Sequence, residues 1–170
     1  PGLRRTFSFE EWNWVDDRLI QEVRTEASKK INRDLVLDIM GTDIDARMVE
    51  IAKENAQKAG VASDITFKQM RVQDLRSDKI NGVIISNPPY GERLSDDAGV
   101  TKLYAEMGEV FEPLKTWSKF ILTSDENFEK KFGRQADKKR KLYNGTLKVD
   151  LYQFFGERVR RQATSEKGNI

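Results

Sequence analysis

Apolar residues recur along this chain with two periods, about 3.6 residues and 2, and the switches between them mark its elements. Residues 1–12 (PGLRRTFSFEEW) follow neither period and read as a lead-in. Over 13–30, Trp14, Leu19, Val23 and Ala27 fall near one face with charges elsewhere, which predicts a helix. Residues 35–42 (LVLDIMGT) read as a strand ending at Gly41-Thr42. Asp45 is a good N-cap for a helix over 46–59, and Gly60 sits where a C-terminal glycine belongs. Met48, Ala52, Asn55, Ala56 and Ala59 would line one side of that helix. A short strand is predicted over 64–70. The continuous apolar run 82–86 (GVIIS) predicts a strand buried on both faces.

Two prolines and a glycine force residues 87–97 (NPPYGERLSDD) into a loop. A helix over 99–115 follows, with Leu103, Met107, Val110, Phe111 and Leu114 on its apolar side. Residues 118–123 (SKFILT) are a second buried strand, and Ser124 can cap a short helix through Phe132. Residues 139–143 and 146–155 alternate around Asn144-Gly145, a strong hairpin signal. Residues 157–170 read as a charged tail, which leaves 1–156 as the folded domain. Alternating β and α elements predict a mainly parallel α/β sheet with helices on its faces, closed by an antiparallel hairpin at one edge. Ligands bind such sheets beyond the carboxyl ends of the strands. Asp43 and Asn87–Tyr90 both follow predicted strands directly.

Composition narrows the chemistry. The 170 residues suit one domain of ordinary size. The absence of Cys excludes a disulfide framework and a thiolate nucleophile. The absence of His excludes Ser-His-Asp triads, His-bound metals and His general bases, and no metal site is expected. No apolar run approaches the ~18 residues of a membrane span, and no signal-peptide core is present, so a soluble, cytoplasmic protein is expected. Pro1 rather than Met opens the chain, which reads as a processed product or a fragment. Charge is uneven: residues 1–110 hold 16 Lys/Arg and 20 Asp/Glu, residues 111–170 hold 14 and 8. The basic cluster Lys130, Lys131, Arg134, Lys138, Lys139, Arg140 and Lys141, with Phe128, Phe132 and Tyr143 in or beside it, could hold nucleic-acid phosphates or be a solvated face. Arg4 and Arg5 could extend such a surface. The set Phe7, Phe9, Trp12 and Trp14 reads as packing rather than a base-stacking platform.

Asn87-Pro88-Pro89-Tyr90 carries the sharpest chemical signal. An exocyclic amine on a planar base is a poor nucleophile, because its lone pair is delocalised into the ring. The Asn87 side-chain oxygen and the Pro88 carbonyl can accept hydrogen bonds from that NH₂ and turn its lone pair toward an electrophile. The prolines fix φ and hold the acceptors in place in advance. Tyr90 can stack on the base. No strong general base is needed, since the alkylated nitrogen sheds its proton readily. Asp43 at a strand end suits a ribose diol, and with Asp45 as the helix cap it is free for that task. Asp74, in VQDL, could accept from an adenine amino group or simply be a turn acid. No Gly-x-Gly occurs among the 11 glycines, so a dinucleotide-binding turn is absent.

These stretches together resemble the class I S-adenosylmethionine-dependent methyltransferases, and most closely the bacterial 23S rRNA guanine-N2 methyltransferase family, often labelled N6-adenine-specific DNA methylases. The similar segments are PGLRRTFSFEEWNWV (1–15), GTDIDARMVEIAKENAQKAGV (41–61), VQDL (72–75), SNPPYGERL (86–94) and LYNGTLKVDLYQF (142–154). The resemblance implies a Rossmann-like, seven-stranded mixed sheet and S-adenosylmethionine as cofactor. It implies that Asp43 holds the cofactor ribose, that Asp74 contacts its adenine, and that Ile44, Leu75 and Asn87 belong to the same cofactor set. Asn87, Pro88, Pro89 and Tyr90 would take a flipped base of 23S rRNA. The family's first strand and its Gly-rich loop should lie before Pro1. Their absence from this chain implies poor cofactor binding, little activity in isolation, and an open sheet edge that self-association would cover. The nearest rival is N6-adenine methylation of DNA. A rival of another class is a non-catalytic RNA-binding module, and a nicotinamide-dependent oxidoreductase stands further off.

Overall fold

The computed structural model describes residues 5–89 and 97–157. The chain divides into two compact units, residues 1–70 and 71–170.

The first unit opens with a 3-10 turn, Ser8–Glu11, and helix α1, Asp17–Lys29. The helix starts later than the apolar spacing predicts. Asp16 is the cap, its carboxylate accepting from the Arg18 N–H at 2.8 Å, and Trp14 lies outside it. Leu19 and Val23 are exposed, while Ile20 and Arg24 are half-buried. The Arg24 guanidinium pairs with the Glu10 carboxylate and donates to the Arg5 carbonyl. Strand β1, Ile39–Asp43, pairs parallel with β2, Ile65–Gln69, from Ile39↔Ile65 to Asp43↔Gln69. The predicted strand was longer, but β2 offers only five partners, so residues 35–38 remain outside the ladder. Helix α2, Ala46–Ala59, joins the two strands. Asp45 caps it, accepting from the Arg47 N–H at 2.9 Å, and Gly60 ends it at φ 72°, as predicted. Its inward residues are Val49 and Ala56, with Ala52 half-buried. Met48, Asn55 and Ala59, placed on the inner face by the sequence pattern, are exposed.

The second unit begins with a 3-10 turn, Val72–Asp74, and β3, Val83–Ser86. Then come α3 (Asp97–Phe111), β4 (Ser118–Thr123), α4 (Phe128–Phe132), β5 (Lys138–Asn144) and β6 (Leu147–Phe154). The sheet order is β3-β4-β6-β5, with β3 and β4 parallel and both β6 pairings antiparallel. The closing hairpin thus inserts its second strand beside β4 and leaves its first at the edge. Helix α3 stops before Pro113, because the residue preceding a proline disfavours helical backbone.

The core lies on one face of this sheet. Tyr104, Met107 and Phe111 from α3 pack with Phe128 and Phe132 from α4 and with Ile121, Tyr152 and Phe154 from the strands. Phe128 is at its centre, with ring centroids 4.9 Å from Tyr104, 5.0 Å from Phe132 and 4.8 Å from Tyr152. Strand β3 is buried on this side only: Val83 is 59% exposed and Ile85 81%. The two-faced burial expected from GVIIS therefore fails, because the helices of this unit, α3 and α4, cover only one face of its sheet. Helix α4 lacks the predicted Ser124 cap. Asp125 accepts instead, from the Asn127 N–H at 2.8 Å. The hairpin turn also shifts by one residue. Asn144 pairs with Leu147, so Gly145-Thr146 forms the loop, with φ 62° at Gly145, as in turns that need glycine at the first central position.

Candidate active site

Strand β3 delivers the Asn-Pro-Pro segment at its carboxyl end. Asn87 is exposed and its side-chain amide makes no hydrogen bond among the described residues. Pro88 is buried and Pro89 exposed. Tyr90, the fourth predicted residue, lies outside the described residues. Since prolines have no N–H, this segment is held by ring packing and by its carbonyls. The Tyr104 hydroxyl donates to the Pro89 carbonyl at 3.4 Å and lies 2.9 Å from Thr123 Oγ1. Thr123 Oγ1 in turn accepts from the Asp125 N–H at 3.1 Å. Tyr104 and Thr123 are fully buried. A chain of polar contacts therefore runs beneath the loop, from Pro89 across α3 to the end of β4. Burial pushes the Tyr104 phenol above its ordinary range, the bond to Thr123 opposing this in part, so the hydroxyl stays protonated and able to donate.

Tyr104 is absent from the residues singled out by sequence. Its position on the apolar face of α3, beside Met107 and Phe111, was the available signal. Which acceptor its hydroxyl would meet depends on β3 and β4, which the helical pattern cannot show.

Asp74 ends the 3-10 turn of the same unit. It is exposed and its carboxylate has no partner among the described residues, while Leu75 packs against the core. Gln73, one residue earlier, hydrogen-bonds Glu106 of α3. Helix α3 thus supports both this turn and the Asn87 segment.

Asp43 and Ile44 belong to the first unit. Asp43 is the last paired residue of β1, and its Oδ1 accepts from the Asp45 N–H at 2.8 Å. Asp45 is the helix cap, as expected, while one Asp43 oxygen fixes the β1–α2 turn and the second lacks a partner among the described residues. Ile44 is exposed, and its carbonyl accepts from Gln69 Nε2 at 3.0 Å, which pins the turn. Arg47 pairs with Asp45 at 2.7 Å and holds that carboxyl below its usual range through this hydrogen bond.

The basic cluster also changes. Phe128 and Phe132 are core residues and cannot stack on a ligand, whereas Tyr143 is 68% exposed. In the first unit Phe7, Phe9, Trp12 and Trp14 contact one another in sequence, at 5.8, 6.5 and 5.2 Å between rings. Phe9, Trp12 and Trp14 nevertheless remain exposed, so these contacts bury less than the packing reading expected.

An antiparallel hairpin whose second strand lies next to the last parallel strand, with a polar loop at a parallel strand's carboxyl end, defines the class: the fold is that of the class I methyltransferases. The crystal structure of SMU.472 complexed with SAH superimposes with a TM-score of 0.85 and 63% identity, over 94% of this chain and 42% of that one. Residues 1–153 match the UPF0020 family, described as RMKL-like, methyltransferase domain, and the chain belongs to that family. The protein named "Putative RNA methyltransferase YpsC" of Bacillus subtilis (strain 168) is 50% identical over 96% of this chain and 43% of its own length. "Ribosomal RNA large subunit methyltransferase K/L" of Shewanella amazonensis (strain ATCC BAA-1098 / SB2B) is 37% identical over 100% of this chain and 26% of its own. The chain therefore spans less than half the length of these relatives.

Proposed function

We propose that the protein transfers a methyl group from S-adenosylmethionine to the exocyclic N2 amino group of a guanine in large-subunit rRNA. The observation that carries the reading is the exposed, unengaged Asn87 amide at the end of β3, followed by a buried proline and tethered from below by Tyr104. Asn87 Oδ1 and the Pro88 carbonyl accept from the two N–H bonds of the base amine, which directs the nitrogen lone pair outward. When bound, the cofactor supplies an electrophilic methyl carbon on sulfur. The nitrogen forms the new N–C bond, the C–S pair stays with sulfur, and the amine proton leaves to water. No covalent intermediate with the chain forms. Tyr90 stacks on the base.

The donor chemistry of the remaining residues fits the cofactor. The unpartnered oxygen of Asp43 accepts from a ribose hydroxyl, and Asp74, with no competing partner among the described residues, accepts from the adenine amine. Ile44 and Leu75 supply apolar contact beside them. The rRNA names of the longer relatives support RNA over DNA as substrate, and a cytoplasmic location goes with that substrate.

The test is methylation by the full-length protein of rRNA from cells lacking it, with nucleosides resolved by mass spectrometry. N2-methylguanosine is expected. N6-methyladenine in duplex DNA, with unlabelled rRNA, would overturn the reading. Asn87→Ala should lower kcat by about 100-fold or more, as loss of an aimed polar group at the reacting atom does, with cofactor affinity nearly unchanged.

A further inference from the structure

The β5–β6 hairpin carries a charge that the chemistry above does not use. Residues 126–148 contain eight Lys/Arg and three Asp/Glu. Part of this charge is neutralised locally: Lys139 pairs with Glu129 at 3.4 Å, Lys148 with Glu126 at 2.7 Å, and Arg134 with Asp137 at 3.6 Å. Lys138, Arg140 and Lys141 are exposed and make no ion pair among the described residues. They lie on β5, the free edge of the sheet.

Topology sets where this edge points. Strand β6 is antiparallel to both β4 and β5, and β4 is parallel to β3. Strand β5 therefore runs in the same direction as β3. Its carboxyl end, with Tyr143, emerges at the same end of the sheet as Asn87. Three strand spacings separate β3 from β5, a distance of about 14 Å across the sheet. At that end Tyr143 stands opposite Lys148 in the ladder, with Lys141 two residues away on the same face, opposite Asp150. An exposed aromatic beside an unpaired cation, here Lys141, is the arrangement that stacks a base and holds an adjoining phosphate of a single strand, and Lys148 joins it only when released from Glu126.

We infer that the β5–β6 hairpin is a second RNA contact, in which Tyr143 stacks a base, Lys141 on the same face holds an adjoining phosphate, and Lys138 and Arg140 on the opposite face hold phosphates where the strand flanking the nucleotide at Asn87 passes round this edge. The inference rests on the RNA-substrate reading above. Glu126 acts against it by engaging Lys148.

The test compares wild type with K138A/R140A/K141A and with Tyr143→Ala, measuring anisotropy of a fluorescein-labelled, mixed-sequence single-stranded RNA across a salt series. Thermal unfolding checks that each variant is folded. Removing three phosphate contacts should make the slope of log K against log salt shallower by about 2. Tyr143→Ala should weaken binding about five- to a hundredfold while changing that slope little. Glu126→Gln, which releases Lys148, should tighten binding. Unchanged slopes and affinities in a wild type that binds RNA would overturn the hairpin assignment and leave the RNA substrate standing. Binding only to a duplex DNA competitor, or to neither nucleic acid, would overturn the hairpin as an RNA contact. Methylation of rRNA at wild-type kcat with raised KM in the triple variant would support it, since the hairpin is distant from the reacting atoms.

Discussion

Replacing Tyr104 by Phe removes one oxygen from the centre of the second unit and leaves the ring in place. The hydroxyl is fully buried, 2.9 Å from Thr123 Oγ1 and 3.4 Å from the Pro89 carbonyl. With the Tyr104 proton on the Pro89 carbonyl, the Thr123 hydroxyl donates to Tyr104, so the variant leaves that buried proton without an acceptor even though Thr123 keeps its bond from the Asp125 N–H. The loss is about 1–3 kcal/mol. In a unit of this size that is a fall in Tm of about 5–20 °C. A pH signature separates this from a packing defect. Burial, the largest cause, raises the folded phenol above the ordinary value of 10.0. The unfolded chain binds fewer protons than the folded one above that pH, so wild-type stability is full below pH 10 and falls as pH rises. Phe carries no such dependence, and the gap between wild type and variant should narrow above pH 10. Tyr152 is raised by burial too, and it contributes equally to both proteins. Urea unfolding followed by Trp117 fluorescence, in a background with Trp12 and Trp14 replaced by Phe, measures the gap at pH 7, 9 and 11. A gap that stays constant or widens with pH would refute the burial of the hydroxyl, and a Tyr104–Thr123 double-mutant cycle with no coupling would refute the hydrogen bond.

Two further outcomes follow from single contacts. Gly108→Ala gains about 1 kcal/mol of helix propensity, yet its Cβ would lie 2.1 Å from the Phe132 carbonyl oxygen. Backbone must move, so the variant should be net destabilised in chemical denaturation by about 1–3 kcal/mol, despite the better helix former. Asp43→Asn keeps an oxygen for the Asp45 N–H and so preserves the β1–α2 turn. It should weaken S-adenosylhomocysteine binding about tenfold or more in calorimetry of the full-length protein, with Tm nearly unchanged, and equal affinity would remove Asp43 from the ribose site.

Elements whose signals are local were legible in the sequence. Asp45 and Gly60 bound α2 because capping and positive φ depend on a few adjacent residues. SKFILT is β4 residue for residue, and the Asn-Pro-Pro loop begins where β3 ends. The Asn144-Gly145 signal located the hairpin, but strand register moved its loop by one residue. Signals that depend on a partner misled. β1 is shorter than its apolar run because β2 is short, and β3 is covered on one face because α3 and α4 pack on only one face of its sheet. The aromatics of the basic cluster show the same limit. Phe128 and Phe132 look like Tyr143 in sequence, and only packing separates the buried pair from the exposed ring.

Sequence by itself determined the residue types that the chemistry requires, the order of strands and helices, and the polar loop at the end of β3. These rest on backbone propensities and on interactions between near neighbours. Tertiary structure decided that β6 lies between β4 and β5, that Tyr104 reaches Pro89 and Thr123, and that the cationic edge opens at the same end as Asn87. Each of these joins residues from separate elements. Their free energy comes from pairing and burial that exist only once the sheet has assembled.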